Sequence, residues 1–278
     1  LLGELRFVAV AIPGSAGLFG PLQLALSHCK AGRVRITNPV RDNLTKFEWL
    51  VDDISNRPTR LGEIMPDEPV MLGTTDACKY GMGGVLFAHE QAPVLWRSPF
   101  PQEVSDWVAS YDNPQGDVTN SDLDQAALIA QGDVAAHIYD TRNYTIATGS
   151  DNTPAIARLQ RGSITSNRVP AYLCRLQCLH QRHYRHLHQA FYIKGEANAM
   201  ADDCSRLWNL DDSQLLSHFN RTYPQDRPWK LWTLDSATHS ALISALRTQR
   251  SEPASFLRPH PGATATSRPG MLTAPLST

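Results

Sequence analysis

Four aspartates stand out in this 278-residue chain: Asp76, Asp124, Asp151 and Asp202. Asp76 closes an apolar run and Asp151 follows another. Asp124 lies in a helix pattern, and Asp202 stands near the start of a later one. In α/β sheets, strand ends and adjacent helix starts are where sites are built. Clustered carboxylates repel, and burying them without a counter-ion is costly. Hard divalent cations such as Mg²⁺ prefer oxygen ligands and relieve that repulsion. Two such ions roughly 3.5–4 Å apart clamp the attacking and leaving oxygens of an in-line phosphodiester displacement. Taken singly, each Asp also has a structural role: strand-end turn, surface helix charge, N-cap, or first-turn partner of the helix dipole. Their joint order points to a site.

Charge is unevenly spread behind a formal net charge of −1. Pro101 to Asp140 has no Lys or Arg but holds Glu103, Asp106, Asp112, Asp117, Asp122, Asp124, Asp133 and Asp140. Thr153 to Gly195 has no Asp or Glu but holds Arg158, Arg161, Arg168, Arg175, Arg182, Arg185 and Lys194, with His180, His183, His186 and His188 among them. Two readings stay open. The blocks pair internally, or a carboxylate site for cations lies beside a cationic groove for a polyanion.

Hydrophobic residues are 42% and charged residues 19%, a globular composition. No uninterrupted apolar stretch approaches the roughly 18 residues of a membrane span. The first apolar segment, Phe7 to Leu26, is broken by Pro13 and Pro21 and lacks the features of a signal peptide. The first residue is Leu1, which suggests a piece of a longer chain. Five scattered cysteines do not make a disulfide framework, and an odd count fits a reducing, intracellular compartment. Cys174 and Cys178 share a helix face near His180 and His183. A zinc site is conceivable, but buried free thiols fit better, because no second pair follows at zinc spacing.

Periodicity supplies the elements that must position the aspartates. Residues 1–30 are helical in part. A helix pattern covers 42–55, capped by Asp42 or Asn43, with Leu44, Phe47, Leu50 and Val51 on one face. Pro58, Gly62 and Pro66 mark a linker. Strand patterns follow at 70–76, 85–88 and 92–97, an antiparallel meander. A helix is expected at 121–137 with Ser121 as cap, a strand at 144–148, a short helix from Pro154 and a longer one at 168–187. A fifth strand at 190–193 and a helix at 198–207 follow. Residues 212–248 read as a helical piece. From Glu252 onward Pro, Ser, Thr, Ala and Gly dominate, as in a flexible linker. The layout is α/β.

Four motifs in order resemble one family. Thr75-Asp76-Ala77 with Gly81-Met82-Gly83-Gly84-Val85 resembles the first hairpin of ribonuclease H. Thr119 to Ala127 resembles the segment with that family's helix carboxylate, and Ser150-Asp151-Asn152 its third acidic motif. Tyr192 to Leu207 resembles the terminal motif in retrotransposon polyproteins. The resemblance covers about residues 69–208. The opening Leu1 to Phe7, with Ala11-Ile12-Pro13-Gly14, is similar to the segment after the reverse-transcriptase palm in DIRS-like and Ty3-like elements.

The resemblance implies a ribonuclease H-like fold: a five-stranded mixed sheet, three antiparallel strands then two, flanked by helices. It implies a thumb or connection remnant at 1–66, the ribonuclease H-like domain at 67–210, a helical extension at 211–250 and a linker at 251–278. The implied activity is endonucleolytic cleavage of the RNA strand of RNA–DNA hybrids. Asp76, Asp124, Asp151 and Asp202 would hold two Mg²⁺ ions, with Mn²⁺ an alternative. Asn120 and Asn152 are candidates for the RNA sugar edge, with turn or cap chemistry as the alternative. Arg168, Arg175, Arg182 and Arg185 are candidates for the DNA backbone, with solvated surface charge as the alternative. The implied partners are the hybrid, the polymerase palm and an integrase or recombinase of the same polyprotein, with no membrane. The chain departs from the family in three ways. Its helix carboxylate is Asp124 where Glu is usual, with Asp122 an alternative two residues away. Asp203 competes with Asp202. The family's loop histidine has no clear match, and the nearest is His188. A degenerate module that binds nucleic acid without cutting it is the competing reading. Another nuclease of the same fold class is a third.

Overall fold

Glycines let the first hairpin close against its neighbours. In the computed structural model, which describes residues 2–29, 33–162 and 168–248, β1 (Met71–Cys78) pairs antiparallel with β2 (Gly81–Ala88). β2 pairs antiparallel with β3 (Val94–Pro99). β4 (Thr145–Ser150) lies parallel to β1, and β5 (Leu187–Tyr192) parallel to β4. A short sixth strand, β6 (Lys230–Trp232), runs parallel to β3, giving the order β5-β4-β1-β2-β3-β6. Six strands replace the expected five, and the helical reading of 211–250 is corrected at β6. Three residues are too few to show a period of two, and the partner that makes them a strand lies far upstream in sequence.

The sheet is covered on both faces, and period-two alternation sorts its residues. Leu86 and Trp96 join the core cluster with Leu123, Ala127 and Val134. Their neighbours Val85 and Leu95 join another, with Cys204, Phe219 and Trp229. The chain before the sheet supplies α1 (Leu2–Ala9), α2 (Gly20–Ser27) and α3 (Asn38–Asn56). After β3 come α4 (Gln102–Trp107) and α5 (Asn120–Ile138), then α6 (Thr153–Arg161), α7 (Val169–Tyr184) and α8 (Ala199–Arg206). α9 (Asp212–Thr222) and α10 (Ser236–Leu246) follow. α5 packs between the sheet and α7 with α10, so it is buried nearly all round. Its cap is Thr119, in a reciprocal box with Asp122, not Ser121. α8 packs over β1 and β2. It sits so close to Gly83 that a Cβ there would meet the Cys204 Cβ at 2.6 Å. Cys174 and Cys178 are buried thiols that form no disulfide. Among the described residues, no helix is long and apolar enough to cross a membrane. The linker expected at 251–278 lies outside the described residues.

Three expected nucleic-acid contacts are engaged within the protein instead. Arg182 is fully buried in α7. Its Nε donates to Asp53 at 2.5 Å, and one Nη donates to Glu63 and to Thr59 at 3.0 Å each. Its other Nη donates to the Arg57 carbonyl. Arg185 donates to the same Glu63 and to the Pro58 carbonyl. Arg175 is also buried, with its guanidinium over the Tyr172 ring. The Arg182 and Arg185 assignments are therefore corrected: their donors are spent on acids of α3 and the turn after it. Arg175 is withdrawn with them by burial. The supposed linker around Gly62 is the anchor of this network, which crosses the boundary expected at residue 66.

A buried charge left without its partner costs about 3–5 kcal/mol. Arg182→Ala, which takes the shared buried partner from Asp53 and Glu63 and leaves them only Arg57 and Arg185, is expected to lower stability by up to roughly that amount. The urea unfolding midpoint measures it, and an unchanged midpoint would contradict the network's role.

Candidate active site

The ends of two parallel strands bring the first two carboxylates together. Thr74 of β1 is the register partner of Gly149 of β4. Two residues further on stand Asp76 and Asp151, and a step of two keeps both on the same side of the sheet. Asp124 reaches them from the first turns of α5. Its Oδ1 accepts the Ala77 N–H at 3.1 Å, and its Oδ2 accepts the Asn152 side-chain amide at 2.8 Å. Asn152 in turn caps α6 by accepting the Ala155 N–H. One asparagine thus starts a helix and orients a carboxylate. Asp202 approaches from α8.

Asp76, Asp124 and Asp151 line an open cleft of about 520 Å³ with Lys79, Asn120, Asn152 and Arg206. Asp202 stands beside it. Arg206 bridges the two groups, 3.5 Å from Asp76 and 3.2 Å from Asp202. The Ser205 hydroxyl donates to Asp76. The loop after β5 presses on Asp151, where a Cβ at Gly195 would come within 3.2 Å of its carboxylate.

The electrostatics are those of crowded carboxylates. Burial, then the charges of Asp76 and Asp151, push Asp124 up to about 8. Burial, then Asp76, push Asp202 up to about 6. Asp76 is also raised, chiefly by burial, while Ser205 and Arg206 oppose the shift. Burial and neighbouring like charge both favour the protonated carboxyl. Among the described residues, no group of three or more His, Cys, Asp or Glu side chains is arranged to hold a metal ion. Mg²⁺ does not need one, because it keeps several waters and takes one or two carboxylates plus substrate phosphate. The all-oxygen donor set fits the chemistry of such an ion.

Three alternatives left by the sequence are resolved by contacts. Asp122 turns away from the cleft, bonded to Thr119 and paired with Arg158 at 2.7 Å. Asp203 faces α9, accepting from His218 at 2.8 Å and Tyr223 at 2.9 Å. His188 is buried beside Thr148, and burial holds it near 3, so it is no loop histidine. His186 is likewise kept neutral by burial. Asn120 lies at the cleft wall. Arg168 is well exposed and stands 3.5 Å from Asp117. Ser205 and Arg206 are cleft residues outside the four aspartates that the sequence pattern singles out. Both lie one helical turn from Asp202, at i+3 and i+4, and that spacing was the available signal.

No protein-family model matches the chain, and no curated protein matches it. Among solved structures, it is similar to the native crystal structure of prototype foamy virus protease–reverse transcriptase. The identity is 16% and the TM-score 0.24, over 69% of this chain and 24% of that one. The chain therefore spans about a quarter of the length of the structure it matches. At that TM-score the likeness carries no argument.

The raised Asp124 sets a pH dependence. Between about 3.8 and about 8 the folded state keeps a proton that the unfolded state has shed. The stability tied to that proton is full below about 3.8 and lost as pH rises through about 8. In chelator, melting temperature should fall across this window more steeply for the native chain than for Asp124→Asn. Equal slopes would contradict the assignment.

Proposed function

We propose that the chain is a metal-dependent endonuclease that cleaves the RNA strand of RNA–DNA hybrids during reverse transcription of a retrotransposon. The observation that carries this reading is the convergence of Asp76, Asp124 and Asp151 on one open cleft, with Asp202 beside it and joined to Asp76 through Arg206. The sheet supports it too. Three antiparallel strands and then two more are what the ribonuclease H resemblance implies, and β6 is added to them.

Asp76 and Asp151 would be the main ligands of two Mg²⁺ ions. Asp124 would lie on the substrate side, and Asp202, the more exposed partner, would adjust. When bound, such ions lower the pKa of water and neutralise charge on the departing oxygen. The chain's own residues do the positioning. Ala77 and Asn152 fix both oxygens of Asp124. Ser205 and Arg206 orient Asp76. Asn120 and Lys79 stand at the cleft wall to meet the sugar–phosphate chain. Hybrid recognition would rest on phosphates and 2′-hydroxyls, because base edges are not presented. Products would carry 5′-phosphate and 3′-hydroxyl ends. The polymerase palm and an integrase or recombinase of the same polyprotein complete the proposed set of partners, and the setting is intracellular.

One observation favours the second reading, a module that binds without cutting. Arg206 already supplies positive charge to Asp76 and Asp202, and Asp124 is one methylene shorter than the usual Glu. Cleavage of a labelled hybrid in Mg²⁺ and in Mn²⁺ separates the two. Cutting of the RNA strand alone is expected. Asp76→Asn and Asp151→Asn should each lower it by more than about 100-fold, since loss of a mere outer-shell partner costs 10–100-fold. Hybrid bound but uncut by the folded native chain would establish the second reading.

A further inference from the structure

A cavity larger than the carboxylate cleft lies elsewhere. A pocket of about 660 Å³ opens between α1, α2 and α6. Its lining includes Arg6, Arg158, Arg161, Gln23 and Phe19, and no carboxylate lines it. Arg158 is fixed by Asp122 at 2.7 Å. Arg6 and Arg161 are exposed, and neither forms an ion pair among the described residues. Three guanidiniums around one open cavity make an anion site, because each offers a planar fork of donors to phosphate. Neither the four-carboxylate chemistry nor the packing of the core makes use of it.

Its place along α6 connects it to the cleft. Asn152, the cap of α6, lies in the cleft wall, while Arg158 and Arg161 are in the last turns of the same helix. At 1.5 Å per residue, six and nine residues from Asn152 correspond to about 9 and about 13.5 Å. A nucleic-acid strand advances about 3.4 Å per nucleotide, so the pocket lies about three to four nucleotides from the cleft. Charge decides the direction. The cleft's other wall is the loop through Val108, Ala109 and Ser110. That loop belongs to the stretch with Glu103, Asp106, Asp112 and Asp117 and no Lys or Arg. A polyanion is repelled there and attracted along α6.

We infer that the pocket formed by Arg6, Arg158 and Arg161 grips backbone phosphates of the strand that runs from the carboxylate cleft along α6. The ligand is a phosphodiester, and the segment before the sheet contributes to substrate binding through Arg6. The identity of the strand rests on the hybrid-cleavage reading, whereas the anion site does not.

The test reads binding, not cutting. In the full chain carrying Asp76→Asn, hybrid affinity is measured by fluorescence anisotropy across a salt series. Arg6→Ala with Arg161→Ala should weaken binding several-fold. It should also reduce the slope of log affinity against log salt by about 1 per lost phosphate contact. The loss should be confined to hybrids long enough to reach past α6, and Arg161→Lys should retain most of the slope. Unchanged affinity and slope would overturn the inference, as would a loss that Arg161→Lys does not rescue and that tracks a lower melting temperature. A parallel titration uses inorganic phosphate. Phosphate binding abolished by the double variant, with hybrid affinity intact, would assign the pocket to a free phosphate and overturn the strand assignment. Cleavage by the native chain is scored separately, so a failure of the nuclease reading leaves the binding result interpretable.

Discussion

Repulsion between carboxylates is the constraint on which the rest of the structure depends. Two like charges 4 Å apart cost about 4 kcal/mol near a protein surface. A chain that gathers Asp76, Asp124, Asp151 and Asp202 must hold them against that force. Asp76 and Asp151 are fixed because they extend neighbouring parallel strands. Asp124 is tied by one backbone and one side-chain donor. Asp202 is held through Arg206, which it shares with Asp76. Burial first, and then the repulsion that remains, raise the affinity of Asp124 and Asp202 for protons. The same crowding of carboxylates gives the cleft its attraction for a cation.

The helix that carries Asp124 is rigid for independent reasons. α5 is enclosed by the sheet, α7 and α10. Two of its buried polar residues, Gln131 and Asp133, are held from all three directions. Gln131 donates to the Val85 carbonyl and accepts from Trp96. Asp133 contacts His180 and accepts from Thr238 of α10. That charge-rich pocket holds Asp133 below the usual carboxylate range despite burial. Residues after Asp211 are thus part of what holds the site, since α10 closes the far side of the helix that presents Asp124.

A second buried charge cluster joins the opening segment to the sheet. Arg182 and Arg185 meet Asp53 and Glu63, donated by α3 and the turn after it. Desolvating these groups is offset only while all partners are present. The opening segment is therefore bound to α7 by obligation of charge, and this places Arg6 beside α6.

Much of this was legible in sequence where the signal was local. The strands of the hairpin, the helix with Asp124 and the turn at Asp151 carry short-range periodicity and capping. Spacing within α8 separates Asp202 from Asp203 by about 100° around the helix, but not which of the two faces the cleft. Arg182 and Arg185 read as a surface stripe because charge on a helix is usually solvated. Their acidic partners lie more than 100 residues upstream, beyond any local pattern. β6 was hidden for the same reason, since its partner strand is β3. By itself the sequence determined the types of residue at the site and the elements that bear them, because those follow from periods of two and 3.6 and from caps. Only the tertiary structure decided which charges meet. Coulomb and hydrogen-bond energies depend on distance in space, and the chain brings remote residues together only through the packing of its sheet and helices.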